Sequence, residues 1–199
     1  MEPTQNEHPY ARLTPDLILR ALESAGFVCD GRLLALNSYE NRVYQIGIED
    51  SPPVIAKFYR PRRWSKQAIL EEHAFSQELA AQEIPVIAPV TDEHGESLHE
   101  LEGFLFAAYP RCGGRWPDLD TKAQRQQMGR FLGRMHAIGA TRHFQHRNRL
   151  DIATLGDASR RFVLEEKLVP DYLFDAYATL SDDLLKQIRV MFEIAGSVA

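Results

Sequence analysis

The sequence predicts an α+β fold, a five-stranded antiparallel sheet with one packed helix, followed across a hinge by a helical unit. Three observations predict it. Runs of strand period gather within residues 33–109, interrupted by one helical stretch, whereas helical period prevails afterwards. The string RCGGRWP, residues 111–117, combines two glycines with a proline and separates the two regimes. A length of 199 residues, 44% hydrophobic and 26% charged, suits one to two globular domains able to bury a core without staples. The domain boundaries follow as 1–110 for the sheet-bearing part and 111–199 for the linker and helical part.

Taken in order, residues 1–13 read as a polar leader. Thr14 caps a helix that opens on Pro15, lines up Leu17, Ile18, Ala21 and Leu22, and stops at Gly26. Leu33–Leu36, Arg42–Ile48 and Val54–Tyr59 are short runs rich in β-branched or aromatic residues, joined by NSYEN and EDSPP, and form an antiparallel meander. Ser65 caps a helix from Lys66 to about Gln82, with Ile69, Glu72, Phe75, Ser76 and Leu79 on one stripe. Ala88–Asp92 and Gly103–Tyr109 complete the sheet, with Phe104, Phe106 and Tyr109 as core of the fifth strand. Beyond the linker, Asp120 caps a helix carrying Met128, Phe131, Leu132, Met135 and Ile138, closed by Gly139. Shorter helical segments follow around 157–167 and 171–178, and a last helix begins at Ser181.

Composition excludes several classes. A formal net charge of −5 disfavours a general nucleic-acid coat, which needs a basic excess to displace counterions. Cys29 and Cys112 lie far apart and outside any CxxC or Cys/His pattern, against a disulfide scaffold and structural zinc. No secretory signal is visible at the start, and no apolar run reaches the ~20 residues of a membrane span. The expectation is a soluble, cytoplasmic protein without nucleic-acid or membrane partners. The basic groups Arg60, Arg62, Arg63, Lys66 and Arg142, His143, His146, Arg147, Arg149 read as solvated faces.

Chemistry centres on Lys57. Strand alternation puts Ile55, Lys57 and Tyr59 on one face, so the ammonium must either reach water along its own stem or meet an anion. Glu72 stands on the core-facing stripe of the next helix, where an unpaired carboxylate is costly, while Glu71 is turned about 100° away. A Lys57–Glu72 ion pair satisfies both groups. That pair is the core of an ATP site, in which the carboxylate holds the ammonium for α- and β-phosphate oxygens. A strand lysine, a helix glutamate and a hinge after the fifth strand, in this order, resemble the N-terminal lobe of a protein kinase. The turn that would cover the phosphates, Asn37-Ser38-Tyr39-Glu40-Asn41, contains no glycine. Hydroxyl, amide and backbone N–H groups at Ser38 and Asn41 can donate to phosphate instead, the alternative being a plain Asx/Ser turn closing a hairpin.

The strings LNSYENRVYQ (36–45), AKFYRPRRW (56–64), ILEEHAF (69–75), PVIAPV (85–90) and LGRMH (132–136) closely resemble bacterial serine/threonine protein kinases of the aminoglycoside-phosphotransferase and choline-kinase-like family. The resemblance runs over almost the whole chain. It implies a protein kinase-like fold, ATP and Mg²⁺ as cofactors, a protein substrate phosphorylated on its hydroxyls, and a role in stress response. By position it implies Ser38 as an ATP contact, Lys57 as the phosphate-binding lysine and Glu72 as its helix partner. The backbone of Ala107–Tyr109, with Ala107 and Tyr109 at its ends, would be the hinge that meets adenine.

Kinases of this family complete their site with an H-G-D-x-H-x-x-N loop and a later D-x-D metal strand. The loop does not occur in residues 1–199. Asp118-Leu119-Asp120 has the D-x-D form but opens a helix, where capping and the helix dipole account for it. His136, near a helix end, reads as a packing or dipole residue. The expectation is the first part of a longer kinase, holding part of the nucleotide pocket but no catalytic residue and no Mg²⁺ ligand. Two alternatives stand beside it: part of a small-molecule kinase of the aminoglycoside, choline or homoserine type, and a truncated, non-catalytic binding module.

Overall fold

The computed structural model describes residues 8–195, so most of the leader lies outside the described residues. The chain divides into two compact units, one ending at His146 and the other beginning at Arg147. The first holds α1 (Pro15–Ser24), β1 (Cys29–Leu36), β2 (Arg42–Ile48), β3 (Ser51–Phe58), α2 (Lys66–Ala81), β4 (His99–Leu101), β5 (Phe104–Pro110) and α3 (Lys122–Gly139). The second holds a π turn at Ala153–Asp157 running into α4 (Ala158–Glu165), a 3₁₀ turn at Asp171–Leu173, and α5 (Phe174–Ala195). Among the described residues no helix is long and apolar enough to cross a membrane.

The five strands lie in the order β1-β2-β3-β5-β4, with every neighbouring pair antiparallel. Alternation gives the sheet two different faces. Ala56 and Phe58 of β3, Phe104, Phe106 and Ala108 of β5, and Ile46 of β2 form one apolar face, with the Phe58 and Phe106 rings stacked 5.4 Å apart. Leu17, Ile18, Ala21 and Leu22 cover it, because α1 starts where it should: Thr14 Oγ1 accepts from Leu17 N and Pro15 opens the helix. Tyr10 and Leu13 join this core, so the end of the leader is docked rather than merely polar. Tyr59 and Ala107, on the opposite face, meet Ile69 of α2, and Ser65 Oγ caps that helix by accepting from Ala68 N. The sheet thus carries a helix on each face, where the sequence reading packs one.

β1 and β3 begin earlier than expected, at Cys29 and Ser51, and three other elements differ as well. Residues 88–92 form no strand, since Pro85 and Pro89 withhold N–H groups from a ladder; Val90 N makes a single bond to Ala108 O at 2.8 Å. The fourth strand is His99–Leu101 instead, joined to β5 through Glu102 and Gly103, whose φ values of 48° and 83° make a tight hairpin turn. α3 is capped by Thr121 and not Asp120, because Thr121 and Gln124 form a reciprocal capping box. α5 begins at Phe174 and runs through Ser181, whose hydroxyl bonds back to Tyr177 O at 2.6 Å and therefore caps nothing.

Two substitutions rank these contributions. Phe58→Ala, at a side chain with no exposure, is expected to lower the unfolding free energy by about 3–5 kcal/mol. Ser65→Ala, at the α2 cap, is expected to cost about 1 kcal/mol. Urea unfolding followed by circular dichroism checks both, and equal costs would contradict this division of roles.

Candidate functional site

The face under α2 is organised in transverse rows, because directly opposed residues of antiparallel strands share a face. One row runs Leu36, Val43, Lys57, Ala107 and the next Leu34, Gln45, Ile55, Tyr109. The turn 37–41 starts one residue past Leu36, at the β1 end of the row that holds Lys57. Lys57 Nζ lies 3.0 Å from Glu72 Oε1, the two side chains being 23% and 34% exposed. The pair is half-buried rather than buried, which spares it the full desolvation cost and leaves part of each side chain open to water. Glu71 is engaged elsewhere, accepting from His146 N at 2.8 Å and from Gln145 N.

Behind the ion pair stands a polar cluster that the sequence reading missed. The Lys57 ammonium sits 4.6 Å from the centre of the Tyr59 ring. Tyr59 Oη is 2.7 Å from His73 Nε2 and 3.1 Å from Tyr109 Oη, and His73 Nδ1 is 2.9 Å from Ser97 Oγ. His73 is buried, and burial holds its pKa down at about 4, so the ring is neutral at pH 7. Burial also raises the Tyr109 hydroxyl above its ordinary value. A signal was available in sequence: His73 stands four residues after Ile69, about 40° away around the helix, and so falls on its buried side.

The turn and the hinge are placed with less symmetry. Ser38 is half-exposed and Tyr39 fully exposed at the tip. Glu40 anchors the turn by accepting from Arg63 Nε and Trp64 Nε1, both at 3.1 Å, while Asn41 Oδ1 accepts from Arg60 N at 3.3 Å. Asn41 thereby spends its oxygen on the loop after β3. At the hinge, Tyr59 N donates to Leu105 O at 2.9 Å, which makes 59/105 a hydrogen-bonded position. Alternation gives 57/107 and 55/109 the same character, so the main-chain groups of Ala107 and Tyr109 point into β3. Those of Ala108 and Pro110 point outward, and Val90 N reaches Ala108 O from that side. The outer edge of the hinge is therefore presented by Ala108 and Pro110, and Pro110 contributes a carbonyl without an N–H.

Other candidates lie apart from this arrangement. Asp118 and Asp120 are exposed ahead of α3, and the carbonyls of Leu119 and Asp120 accept from Arg125 Nη1. His136 is exposed in the last turn of α3. Asp92, Glu96 and His99 bring ligand atoms within 4.8 Å of one another, but Asp92 Oδ1 already accepts from His94 N and Glu96 N. Glu72, the carboxylate beside Lys57, is engaged with the ammonium, so the donor set around Lys57 suits phosphate and not a divalent cation.

A model of the phosphotransferase enzyme family (APH) matches residues 32–190. Stress response kinase A of Escherichia coli is 40% identical over 179 residues, covering 90% of this chain and 54% of its own length. The serine/threonine protein kinase RdoA of Salmonella typhimurium is 38% identical over 183 residues, 92% of this chain and 56% of its own. The chain thus spans about half the length of the curated relatives it matches. Among solved structures, the amicoumacin kinase hAmiN superposes with a TM-score of 0.56 at 21% identity, over 81% of this chain and 56% of the other. A microcompartment-associated aminopropanol kinase superposes at 0.55 and 18% identity, over 74% and 54%. Both share the kinase-like fold.

The buried imidazole has a consequence for stability. His73 titrates near 6.5 when unfolded and at about 4 when folded, so between those values the unfolded chain binds a proton that the folded chain does not. Stability is expected to fall as pH drops from 6.5 to 4, by on the order of 3 kcal/mol from this group. In His73→Asn that part of the acid loss should vanish. Urea midpoints at pH 7, 5.5 and 4 read the difference, and parallel curves for the two proteins would contradict it.

Proposed function

The chain belongs to the phosphotransferase enzyme family, and on that footing we propose that it forms the nucleotide-binding part of an ATP-dependent kinase acting on serine and threonine hydroxyls of proteins. The observation that carries this reading is the Lys57–Glu72 pair, set in a row of the sheet that ends at the turn 37–41. Phosphoryl transfer asks the protein chiefly for positioning and charge neutralisation. Lys57 supplies the charge for α- and β-phosphate oxygens, and Glu72 fixes where that charge stands. Leu36, Val43 and Ile55, half-buried on the same face, offer a flat apolar bed for a purine. The outward carbonyl of Pro110 accepts from an exocyclic amine, as adenine carries, and Ser38 donates from the turn. Mg²⁺, were it bound with the nucleotide, would supply further neutralisation of the phosphate charge; none of the residues assigned here is a ligand for it or the acceptor of the hydroxyl proton.

Protein substrates are favoured over small molecules because the relatives at 38–40% identity include one named a serine/threonine protein kinase, whereas the named small-molecule kinases resemble this chain in fold alone.

The test is calorimetric titration of residues 1–199 with AMP-PNP. Wild type is expected to bind, Lys57→Met to bind at least about tenfold more weakly, and Glu72→Gln to fall between, in line with the loss of a charge-assisted contact. Equal affinities for wild type and Lys57→Met would overturn the assignment. ADP is expected to outcompete GDP, whose base offers a carbonyl where adenine offers an amine. The same residues given radiolabelled ATP and a protein acceptor should transfer no phosphate.

A further inference from the structure

We infer that Tyr59, oriented by His73 and Tyr109, is a positioning residue for Lys57, holding the ammonium through its ring while Glu72 holds it through charge. The inference rests on the reading above for the role of Lys57, and the contacts themselves do not depend on it. Lys57 and Tyr59 are two residues apart on one strand face, so the ammonium folds back over the ring, 4.6 Å from its centre. A ring serves this purpose only if it cannot turn aside. Tyr59 is 3% exposed and packed with Ile69 and Ala107, and its hydroxyl is gripped from two directions, by His73 Nε2 at 2.7 Å and by Tyr109 Oη at 3.1 Å.

The grip reaches further because of where His73 stands. Residues 72 and 73 are consecutive in α2, so the carboxylate that meets Lys57 and the imidazole that meets Tyr59 leave the helix from the same turn. Any rotation or slide of α2 that parts Lys57 from Glu72 must also break the Tyr59–His73 bond. Ser97 closes the arrangement from the loop before β4, at 2.9 Å from His73 Nδ1. A neutral imidazole accepts at one nitrogen and donates at the other, so it serves both hydroxyls at once. The helix is therefore referenced to β3 at two adjacent points, one half-exposed and charged, the other buried and uncharged. Water and salt weaken the first far more than the second.

Three proteins test this: wild type, Tyr59→Leu, which removes the ring, and Tyr59→Phe, which keeps the ring and cuts its tether. The ¹³Cε relaxation of Lys57, assigned by its loss in Lys57→Met, reads how tightly the side chain is held with no nucleotide present. Mobility is expected to rise markedly in Tyr59→Leu and partway in Tyr59→Phe, and AMP-PNP affinity to fall roughly three- to tenfold in the former. Lys57 equally rigid in wild type and Tyr59→Leu overturns the inference. Should Tyr59→Leu not fold, Tyr59→Phe decides alone, and wild-type mobility there overturns it as well. A wild type that binds no AMP-PNP, while Tyr59→Leu still loosens Lys57, would sink the nucleotide reading and leave the positioning role standing.

Discussion

The ammonium of Lys57 is the point on which the arrangement turns. A charge on the inner face of a sheet is tolerable only with partners, and this one has two of different kinds: a carboxylate at 3.0 Å and an aromatic face at 4.6 Å. Neither wraps it completely. At 23% exposure the lysine side chain keeps an open side, the condition under which a fixed cation can still receive an anion. Full burial would hold the pair more rigidly but shut the phosphate out, and full exposure would leave it to solvent screening.

The two faces of the sheet divide the labour. The face against α1 is dry and aromatic, with Phe58, Phe106 and Leu22 entirely buried, and it supplies the cohesion. The face against α2 carries Lys57, Tyr59, Tyr109 and, from the helix, Glu72 and His73, so its packing is conditional on polar groups being matched. No buried side-chain polar atom among the described residues lacks a partner, so that condition is met. Because each β-strand belongs to both faces, the dry side holds the polar side in register.

Residues 111–121 are coil, yet α3 and the residues after it remain in the first compact unit. Glu71 accepts from His146 N, Arg142 meets Glu78 at 3.1 Å, and Phe144 stands edge-on to Phe75. α2 is thus held from the sheet side through Ile69, Glu72 and His73, and from another side through Glu71, Phe75 and Glu78. Neighbouring carboxylates, about 100° apart around one helix, thus serve different partners.

What could be read without coordinates was whatever local chemistry dictates. Thr14 and Ser65 announce their helices because a side-chain oxygen must satisfy early N–H groups. Lys57 and Glu72 point to each other because each would be costly alone on an apolar stripe. The local reading erred in two places: the last helix already starts at Phe174 and runs through Ser181, and 88–92 has strand-like residues but prolines where a ladder needs donors. The ring of Tyr59 under the ammonium, the His73 and Ser97 contacts behind it, and the outward turn of Ala108 and Pro110 belong to tertiary structure alone. Ser97 lies 24 residues from His73, and main-chain direction in β5 depends on which residue of β3 it opposes. Sequence determines which groups need partners; only the folded chain decides which partners come within reach.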